Sequence, residues 1–491
     1  MALLGSILKR TLEIRESIPK IRKVSGYSQQ SKELKKLLTK AEFTAFGEHY
    51  GFSKILNETN IIESFQKTVD THDYNSMFKK WWHRALNGEP FICWPRKVKY
   101  FALSSGTSEA SSKYIPVTSD MLKAIKKASL RQLVSQARYK FPKEHFERGA
   151  LMLGGSTKLN YNGTYYEGDL SGIQAKNIPF YFQHFSKPGK RISQERDWNI
   201  KLDEIVKNAK SWDIALIVGV PAWVQILFER IIQEYNVKNI HEIWPHLEVY
   251  VHGGVSIAPY KKGFEKLLGR PIIFLDSYLA SEGFIAYQNR EDSDLMLVLD
   301  NGIFFEFVPF NENNFDSEGT LREHPETLHI GNVQEGVEYA LLLSTCSGAW
   351  RYLIGDVVKF TSVERHEIII TGRTKHFLSL CGEHLSQDNM NKAIELVSLE
   401  QNINIKEFTV AGIPYDSMFA HHWYIGTDDP IDPAILKTRI DELLMELNDD
   451  YKVERIAALK EVIVEVLPSS VFYDYMESLG KIGAAFKFPR V

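Results

Sequence analysis

Apolar residues recur at helical spacing over residues 31–47, where Leu34, Leu37, Leu38, Ala41 and Ala45 share one side. Thr118-Ser-Asp120 predicts a helix cap, followed by a helix carrying Met121, Leu122, Ile125, Leu130, Leu133 and Val134. A strand is predicted over Lys97 to Leu103. The middle of the chain then alternates. Ile214-Ala-Leu-Ile-Val218 is an uninterrupted apolar run of strand length, and Pro221 opens a helix to about Tyr235 at its favoured first position. Leu247-Glu-Val-Tyr-Val251 predicts the next strand, a short helix follows near 259–268, and Pro271-Ile-Ile-Phe-Leu275 predicts a third strand. Strand–helix–strand order implies a parallel sheet, with ligands beyond the carboxyl ends of its strands. Gly253-Gly254 and Asp276-Ser-Tyr-Leu-Ala-Ser-Glu282 are predicted to leave two such ends.

Strands near 294–299, 303–308 and 338–344 read as more antiparallel. Past Thr371-Gly-Arg-Thr-Lys375 the pattern changes again, to a helix at 386–399, strands at 406–412 and 421–426, a helix at 433–447 and a strand at 456–466. The fold class expected is α/β: a large N-terminal domain, residues 1–372, with mixed and parallel sheets and flanking helices, and a smaller C-terminal α+β domain, residues 373–491. A hinge is expected at Arg373 to His376.

Composition removes several classes. A length of 491 residues gives a prior of about three domains. A hydrophobic content of 44% and a charged content of 25% are ordinary for a soluble globular protein. A net charge of −3, without a basic stripe interleaved with aromatics, offers no field for nucleic acid. The 3 cysteines, Cys93, Cys346 and Cys381, lack metal-ligand spacing and suit a reducing, cytoplasmic setting. No apolar run approaches the ~20 residues that span a bilayer. The apolar start Met-Ala-Leu-Leu-Gly-Ser-Ile-Leu has no basic region before it, and Glu13 and Glu16 among the cations of residues 9–23 speak against a transit peptide. That stretch is expected to be a surface helix, with no membrane contact.

The densest chemistry lies in Phe101-Ala-Leu-Ser-Ser-Gly-Thr-Ser-Glu-Ala-Ser-Ser-Lys113. Small hydroxyl residues around a glycine let backbone N–H groups turn inward and wrap a polyphosphate, and a lysine supplies positive charge. The pattern departs from G-x-x-x-x-G-K-[ST], since only Gly106 is present and Pro116 argues against a following helix. The stretch is therefore expected to join two extended segments. Composition leaves two readings open, a phosphate cradle and a solvent-exposed serine-rich loop.

Three further motifs follow in order: Ser277-Tyr-Leu-Ala-Ser-Glu282, Trp350-Arg-Tyr-Leu-Ile-Gly-Asp-Val-Val358, and Gly372-Arg-Thr-Lys-His-Phe-Leu-Ser-Leu-Cys-Gly382. Their order and spacing resemble the adenylate-forming superfamily of acyl-CoA synthetases, luciferases and peptide-synthetase adenylation domains. Leu37-Leu38, Thr44-Ala-Phe-Gly47, Gly51-Phe52, Phe304-Phe-Glu-Phe-Val-Pro309, Arg351-Tyr352 and the terminal Phe486-Lys-Phe-Pro-Arg490 narrow the resemblance. The chain resembles the Gretchen Hagen, auxin-responsive family of acyl acid–amido synthetases, and within it a bacterial-type member.

This resemblance implies an adenylate-forming architecture and an ATP-dependent ligase that forms a carbon–nitrogen bond. A small carboxylic acid is adenylated with release of pyrophosphate, and its acyl group passes to an amino acid amine with release of AMP. It implies ATP and Mg²⁺ as cofactors, and a monomer is expected. Ser104, Ser105, Gly106, Thr107 and Ser108 would cradle the phosphates, and Lys113 would pair with phosphate or with a surface carboxylate. Glu282 would hold Mg²⁺, Ser277 and Tyr278 would flank the nucleotide, and Asp356 would accept the ribose hydroxyls. Lys487 would reach the α-phosphate and offset charge during acyl transfer to phosphorus. At His384 the chain departs from relatives that carry a lysine near this position. Arg131, on a helix expected to line the acyl pocket with Val220-Pro-Ala-Trp223, is a candidate for a second group on the acid. His252 is a further candidate beside the nucleotide, and His421-His422 reads as a fold feature. Two other readings remain: a ligase with coenzyme A as acceptor, and a nucleotide-binding protein without chemistry.

Overall fold

The most apolar runs of the chain become the inner strands of one large sheet. Glu338–Thr345 is buried at every position after its first residue, and Ile303–Pro309 at every position before its last. The computed structural model describes residues 24–478 except 108–109, 179–182, 184, 258–259, 317–318, 376 and 384; for 105–107, 110–112, 262, 377, 387, 388, 473, 476 and 477 it describes the backbone.

In chain order, β1 (Tyr100–Thr107) and β2 (Ala110–Val117) belong to a small sheet with β4 (Asn160–Tyr161) and β5 (Tyr166–Gly168), in the order β2-β1-β5-β4. The large sheet takes β3 (Gly149–Leu153), β6 (Ser186–Lys187), β7 (Ile214–Gly219), β8 (Val249–Gly253), β9 (Ile273–Ala280), β10 (Gly283–Gln288), β11 (Leu295–Leu297), β12 (Ile303–Pro309), β13 (Glu338–Thr345), β14 (Tyr352–Ser362) and β15 (Glu367–Arg373). Its order is β12-β13-β14-β15-β11-β10-β9-β8-β7-β3-β6. The half from β9 to β6 is parallel, and the half from β12 to β9 is antiparallel. The helix Pro221–Tyr235 links β7 to β8, with proline in its first turn and an αL Asn236 closing it. A short helix, Lys261–Leu267, links β8 to β9.

Several expected elements differ. The helix expected over 31–47 is Gly26–Ala41, and a separate turn of helix covers Ala45–His49. Thr44 makes the break: its hydroxyl donates to Ala41 O at 2.7 Å and accepts from Gly47 N at 3.1 Å. Glycine is required at 47, because a Cβ there would meet Ala41 O at 2.2 Å. The strand expected to end at Leu275 instead runs to Ala280, so the Ser277-Tyr-Leu-Ala280 motif is strand rather than exit loop.

An aromatic cluster anchors the start of β14. Trp350 is fully buried, with the rings of Phe46, Phe52, Phe65 and Trp94 at centroid distances of 5.7, 4.8, 6.3 and 6.3 Å. Its indole N–H donates to Cys93 O at 3.1 Å. The next residue, Arg351, is a buried strut with φ of 42°. It pairs with Glu306 at 3.0 Å and donates to the carbonyls of Gln66 (2.7 Å) and Val69 (2.6 Å). These contacts hold in place the strand that carries Asp356.

The chain divides into two compact units. One comprises Tyr114–Val220, Leu227–Thr374 and the described residues up to Leu103; the other comprises Ser104–Lys113, Pro221–Ile226 and the described residues from Lys375 onward. Within the second, β16 (Phe377–Leu378) and β17 (Leu385–Ser386) form a short antiparallel pair. Further on, β18 (Ile405–Tyr415), β19 (Met418–Thr427) and β20 (Leu459–Leu467) form a sheet in that order. The helices Gln387–Gln401, Pro433–Leu447 and Asp449–Ala457 accompany it. The last of these occupies ground where a strand was expected to begin at 456. Asn448 accepts from Tyr451 N at 2.8 Å and caps it.

Candidate active site

The β9–β10 hairpin and the β14–β15 pair carry four sequence-predicted residues, Ser277, Tyr278, Glu282 and Asp356. Ser277 lies beside Gly253 in the parallel β8–β9 register, and its hydroxyl donates to His252 O at 2.8 Å. A Cβ on Gly253 would meet Ser277 O at 2.3 Å, so a glycine at the end of β8 permits this close approach. Ala280 and Gly283 are paired across the hairpin, so Glu282 is the second residue of its tight turn. It is only 6% exposed.

Tyr278, further back on β9, reaches across to β14, and its hydroxyl donates to Asp356 Oδ2. Gly355, at φ of 93°, precedes Asp356, and Arg373 on β15 stands opposite it in register. Arg373 Nε lies 3.1 Å from Asp356 Oδ1. The backbone beside them is tied as well: Thr374 N donates to Gly355 O at 2.8 Å, and Arg373 Nη2 donates to Ile354 O at 3.3 Å. Burial pushes the Tyr278 phenol well above its ordinary pKa, and the Asp356 carboxylate adds to this, with a smaller contribution from Glu282. Burial likewise raises the Tyr352 phenol, with Glu282 the largest charge acting on it. Glu282 therefore acts on both buried phenols, and Asp356 on Tyr278.

The chemistry of this cluster is specific. An ionised carboxylate only accepts hydrogen bonds and can take two hydroxyl donors side by side. Asp356 already accepts from one hydroxyl, that of Tyr278. Among the described residues no group of three or more His, Cys, Asp or Glu is placed to hold a metal on its own. A single buried carboxylate such as Glu282 fits Mg²⁺ only in the manner this ion favours, with one or two protein carboxylates and the rest of its shell from phosphate and water.

The other predicted residues fall elsewhere. The strand expected over Lys97–Leu103 begins at Tyr100 and runs on to Thr107, so the backbone of Ser104, Ser105, Gly106 and Thr107 is β-strand. The motif does join two extended segments, β1 and β2. Ser108 lies outside the described residues, and Lys113 is half-buried on β2. Lys487 and His384 also lie outside the described residues. Arg131 does not wait for a substrate: its guanidinium grips Asp300 with two hydrogen bonds, at 2.5 and 2.8 Å. His252 is buried at the end of β8, with Nδ1 3.4 Å from Asp276. His421 is fully buried and bonded to Glu383 at 2.9 Å.

Arg373 belongs to the cluster, although the sequence suggests a hinge there. The structural reason is the pairing of two motifs: Gly355-Asp and Gly372-Arg are neighbours across the antiparallel β14–β15 ladder, where Asp356 faces Arg373.

Comparison with known proteins gives a consistent result. Residues 23–199 match the GH3 family N-terminal domain, and residues 296–370 match the GH3 family central domain. The jasmonoyl–L-amino acid synthetase JAR4 of Nicotiana attenuata is 21% identical over 97% of this chain and 93% of its own length. The indole-3-acetic acid-amido synthetase GH3.2 of Arabidopsis thaliana is 25% identical over 35% of this chain. The chain spans 33%, 44% and 54% of the lengths of that protein and of the Arabidopsis synthetases GH3.3 and GH3.4. Among solved structures, the GH3.15 acyl acid amido synthetase superposes with a TM-score of 0.60 at 18% identity, over 98% of this chain and 94% of that one. A 2-hydroxyisobutyryl-CoA ligase, in complex with 2-HIB-AMP and CoA, gives 0.57 at 14% identity over 92% of both chains. At these identities the likeness to solved structures is one of fold, the α/β architecture of GH3 and adenylate-forming enzymes. The chain carries the N-terminal and central domains of the GH3 family.

Proposed function

We propose that this chain is an ATP-dependent acyl acid–amido synthetase. The observation that carries the reading is the Tyr278–Asp356–Arg373 cluster, with the buried Glu282 on the adjoining hairpin turn. The chain's GH3 domains and the names of its relatives, which join acids to amino acids, support it.

In the first half-reaction a carboxylate oxygen of a small acid attacks the α-phosphorus of ATP. The bond to the β-phosphate breaks, pyrophosphate leaves, and an acyl-adenylate forms. In the second, an amino acid amine attacks the acyl carbon, the carbon–oxygen bond breaks with its electron pair going to AMP, and the amine sheds a proton. Asp356 accepts the ribose hydroxyls, while Arg373 holds its carboxylate in one orientation. Tyr278 closes one side of the nucleotide, with Ser277 beside it on the same strand. Glu282 would hold Mg²⁺, and the ion would supply positive charge to the phosphates of ATP. Ser104 to Ser108 and Lys113 take the phosphates, and Lys487 meets the charge that builds at the α-phosphorus. The domains are residues 1–372 and 373–491, the protein acts as a cytoplasmic monomer, and it does not bind nucleic acid or membrane.

A second reading is favoured by the fold it shares with the 2-hydroxyisobutyryl-CoA ligase: the same adenylation followed by transfer to coenzyme A. Carboxylic acids are screened for acid-dependent pyrophosphate release, and the active acid is then offered amino acids and coenzyme A in parallel. Amide as the product supports the synthetase. Thioester as the sole product replaces it with the second reading, and no acid-dependent pyrophosphate release overturns both.

A further inference from the structure

At the other end of the large sheet, beside β3 and β6, lies a cavity of about 650 Å³ with a strongly one-sided charge. Its volume is within the range of small-molecule sites, ~300–1,000 Å³. Among the described residues six cations line it: Lys158, Lys176, Lys187, Lys190, Arg191 and Arg196. They come from separate pieces of chain. Lys158 follows the Gly154-Gly155 turn after β3, Lys176 ends the helix Leu170–Lys176, and Lys187 ends β6. Lys190 and Arg191 open the helical turn Lys190–Ser193, with Arg196 just beyond it. Among the described residues one carboxylate, Glu195, is in the lining, and its Oε1 accepts from the backbone N–H groups of Arg196 at 2.8 Å and Asp197 at 3.1 Å. Arg191 is neutralised by Glu204 at 2.5 Å. Lys158 and Lys190 have no ion-pair partner among the described residues.

Like charges gathered round a cavity repel unless an anion sits among them. Arg196 donates to Lys158 O, and Lys176 and Lys187 stand over the rings of Tyr166 and Trp212, which leaves Lys158 and Lys190 as the cations a ligand would meet first. Lysines, as point charges on flexible stems, suit phosphoryl oxygens approached from several directions. Apolar walls at Met152 and Leu159 leave room for a body that carries those groups. The cavity is separate from the cluster at Asp356, because β6 is four strands from β9 in the sheet, roughly 19 Å at the usual strand spacing.

We infer that this cavity binds a small molecule bearing two or more phosphoryl groups, at a site distinct from that of the nucleotide to be cleaved. The source is either an inorganic oligophosphate or a nucleotide-derived phosphate ester, and the site reads the shared phosphoryl charge.

Binding at this cavity does not depend on adenylation, and calorimetry on the full chain tests it. Inorganic tripolyphosphate and adenosine 3′,5′-bisphosphate are titrated separately into wild type and into the Lys158→Ala/Lys190→Ala double variant. Both side chains are exposed, so the fold should persist, and an unchanged melting temperature checks this. Expected is binding of at least one ligand that weakens as salt rises and falls by about tenfold or more in the double variant, with acid-dependent pyrophosphate exchange unchanged. Binding of tripolyphosphate alone assigns an inorganic ligand; tighter binding of the bisphosphate assigns a nucleotide-derived one. No binding of either, or equal binding to both proteins, overturns the inference.

Discussion

Asp356 and Arg373 are direct cross-strand partners on β14 and β15, with Nε and Oδ1 3.1 Å apart. Tyr278 donates to the second oxygen of the same carboxylate. The side chain is thus aligned by two groups from two other strands, and its remaining lone pairs are those a diol would meet. Replacing Asp356 by Asn keeps the shape and removes the charge. A hydrogen bond to a charged group contributes about 1.5–3 kcal/mol, so ATP affinity should fall by roughly ten- to a hundredfold. Calorimetric titration checks this, and ATP binding equal to wild type removes the ribose role.

Glu282 should act through the metal. Glu282→Gln leaves the hairpin turn intact but weakens a hard-cation ligand. The Mg²⁺ concentration giving half-maximal pyrophosphate exchange should rise by about tenfold, with affinity for metal-free ATP little changed. Equal metal dependence in the two proteins would leave Glu282 a structural residue.

Arg351 should matter for stability. Its side chain is 6% exposed and that of its partner Glu306 1%. Removing one member of a buried pair typically costs about 3–5 kcal/mol, because the other charge is stranded. Arg351→Ala should lower the unfolding free energy by that amount, while Arg131→Ala, whose pair with Asp300 is more exposed, should cost far less. Urea titration of the two variants compares them directly.

Two buried glutamates in the C-terminal unit should give stability opposite pH dependences. Burial would raise the Glu383 carboxyl, but hydrogen bonding and charge from His421, with the Cys381 and Leu380 amides, outweigh it and hold it at about 2. A depressed carboxyl contributes stability that is complete above its unfolded value of 4.5 and is lost as pH falls toward about 2. Glu454 is the reverse: burial first, then Glu383 and Asp450, push it well above 4.5. The folded state then holds a proton that the unfolded state releases, so its contribution declines as pH rises above 4.5. Relative to wild type, Glu383→Gln should lose its deficit in acid, and Glu454→Gln should gain stability toward neutral pH. Chemical denaturation across pH checks both signs.

The sequence revealed strands and helices where one signal dominated. Pro221, at the favoured first position, located the start of the helix Pro221–Tyr235, and its end was expected at about Tyr235. It failed where a polar side chain interrupts a periodic run, as Thr44 does between Ala41 and Ala45, because capping is decided by local hydrogen bonds rather than by apolar spacing. It also misread Ser277 to Ala280: polar residues near a strand end look like a loop until the pairing with β8 and β10 is known. At the site, Tyr278 and Asp356 were legible as motif residues. Their hydrogen bond, and the part played by Arg373, depend on register across a ladder that no single segment encodes.

Acid-dependent exchange of labelled pyrophosphate into ATP tests the central proposal most directly, because it reports formation of the mixed anhydride before any acceptor is involved. With Mg²⁺ and a suitable carboxylic acid, exchange should appear in wild type and drop sharply in Asp356→Asn. Folded protein that neither binds ATP nor supports exchange with any acid in a broad panel would contradict the account.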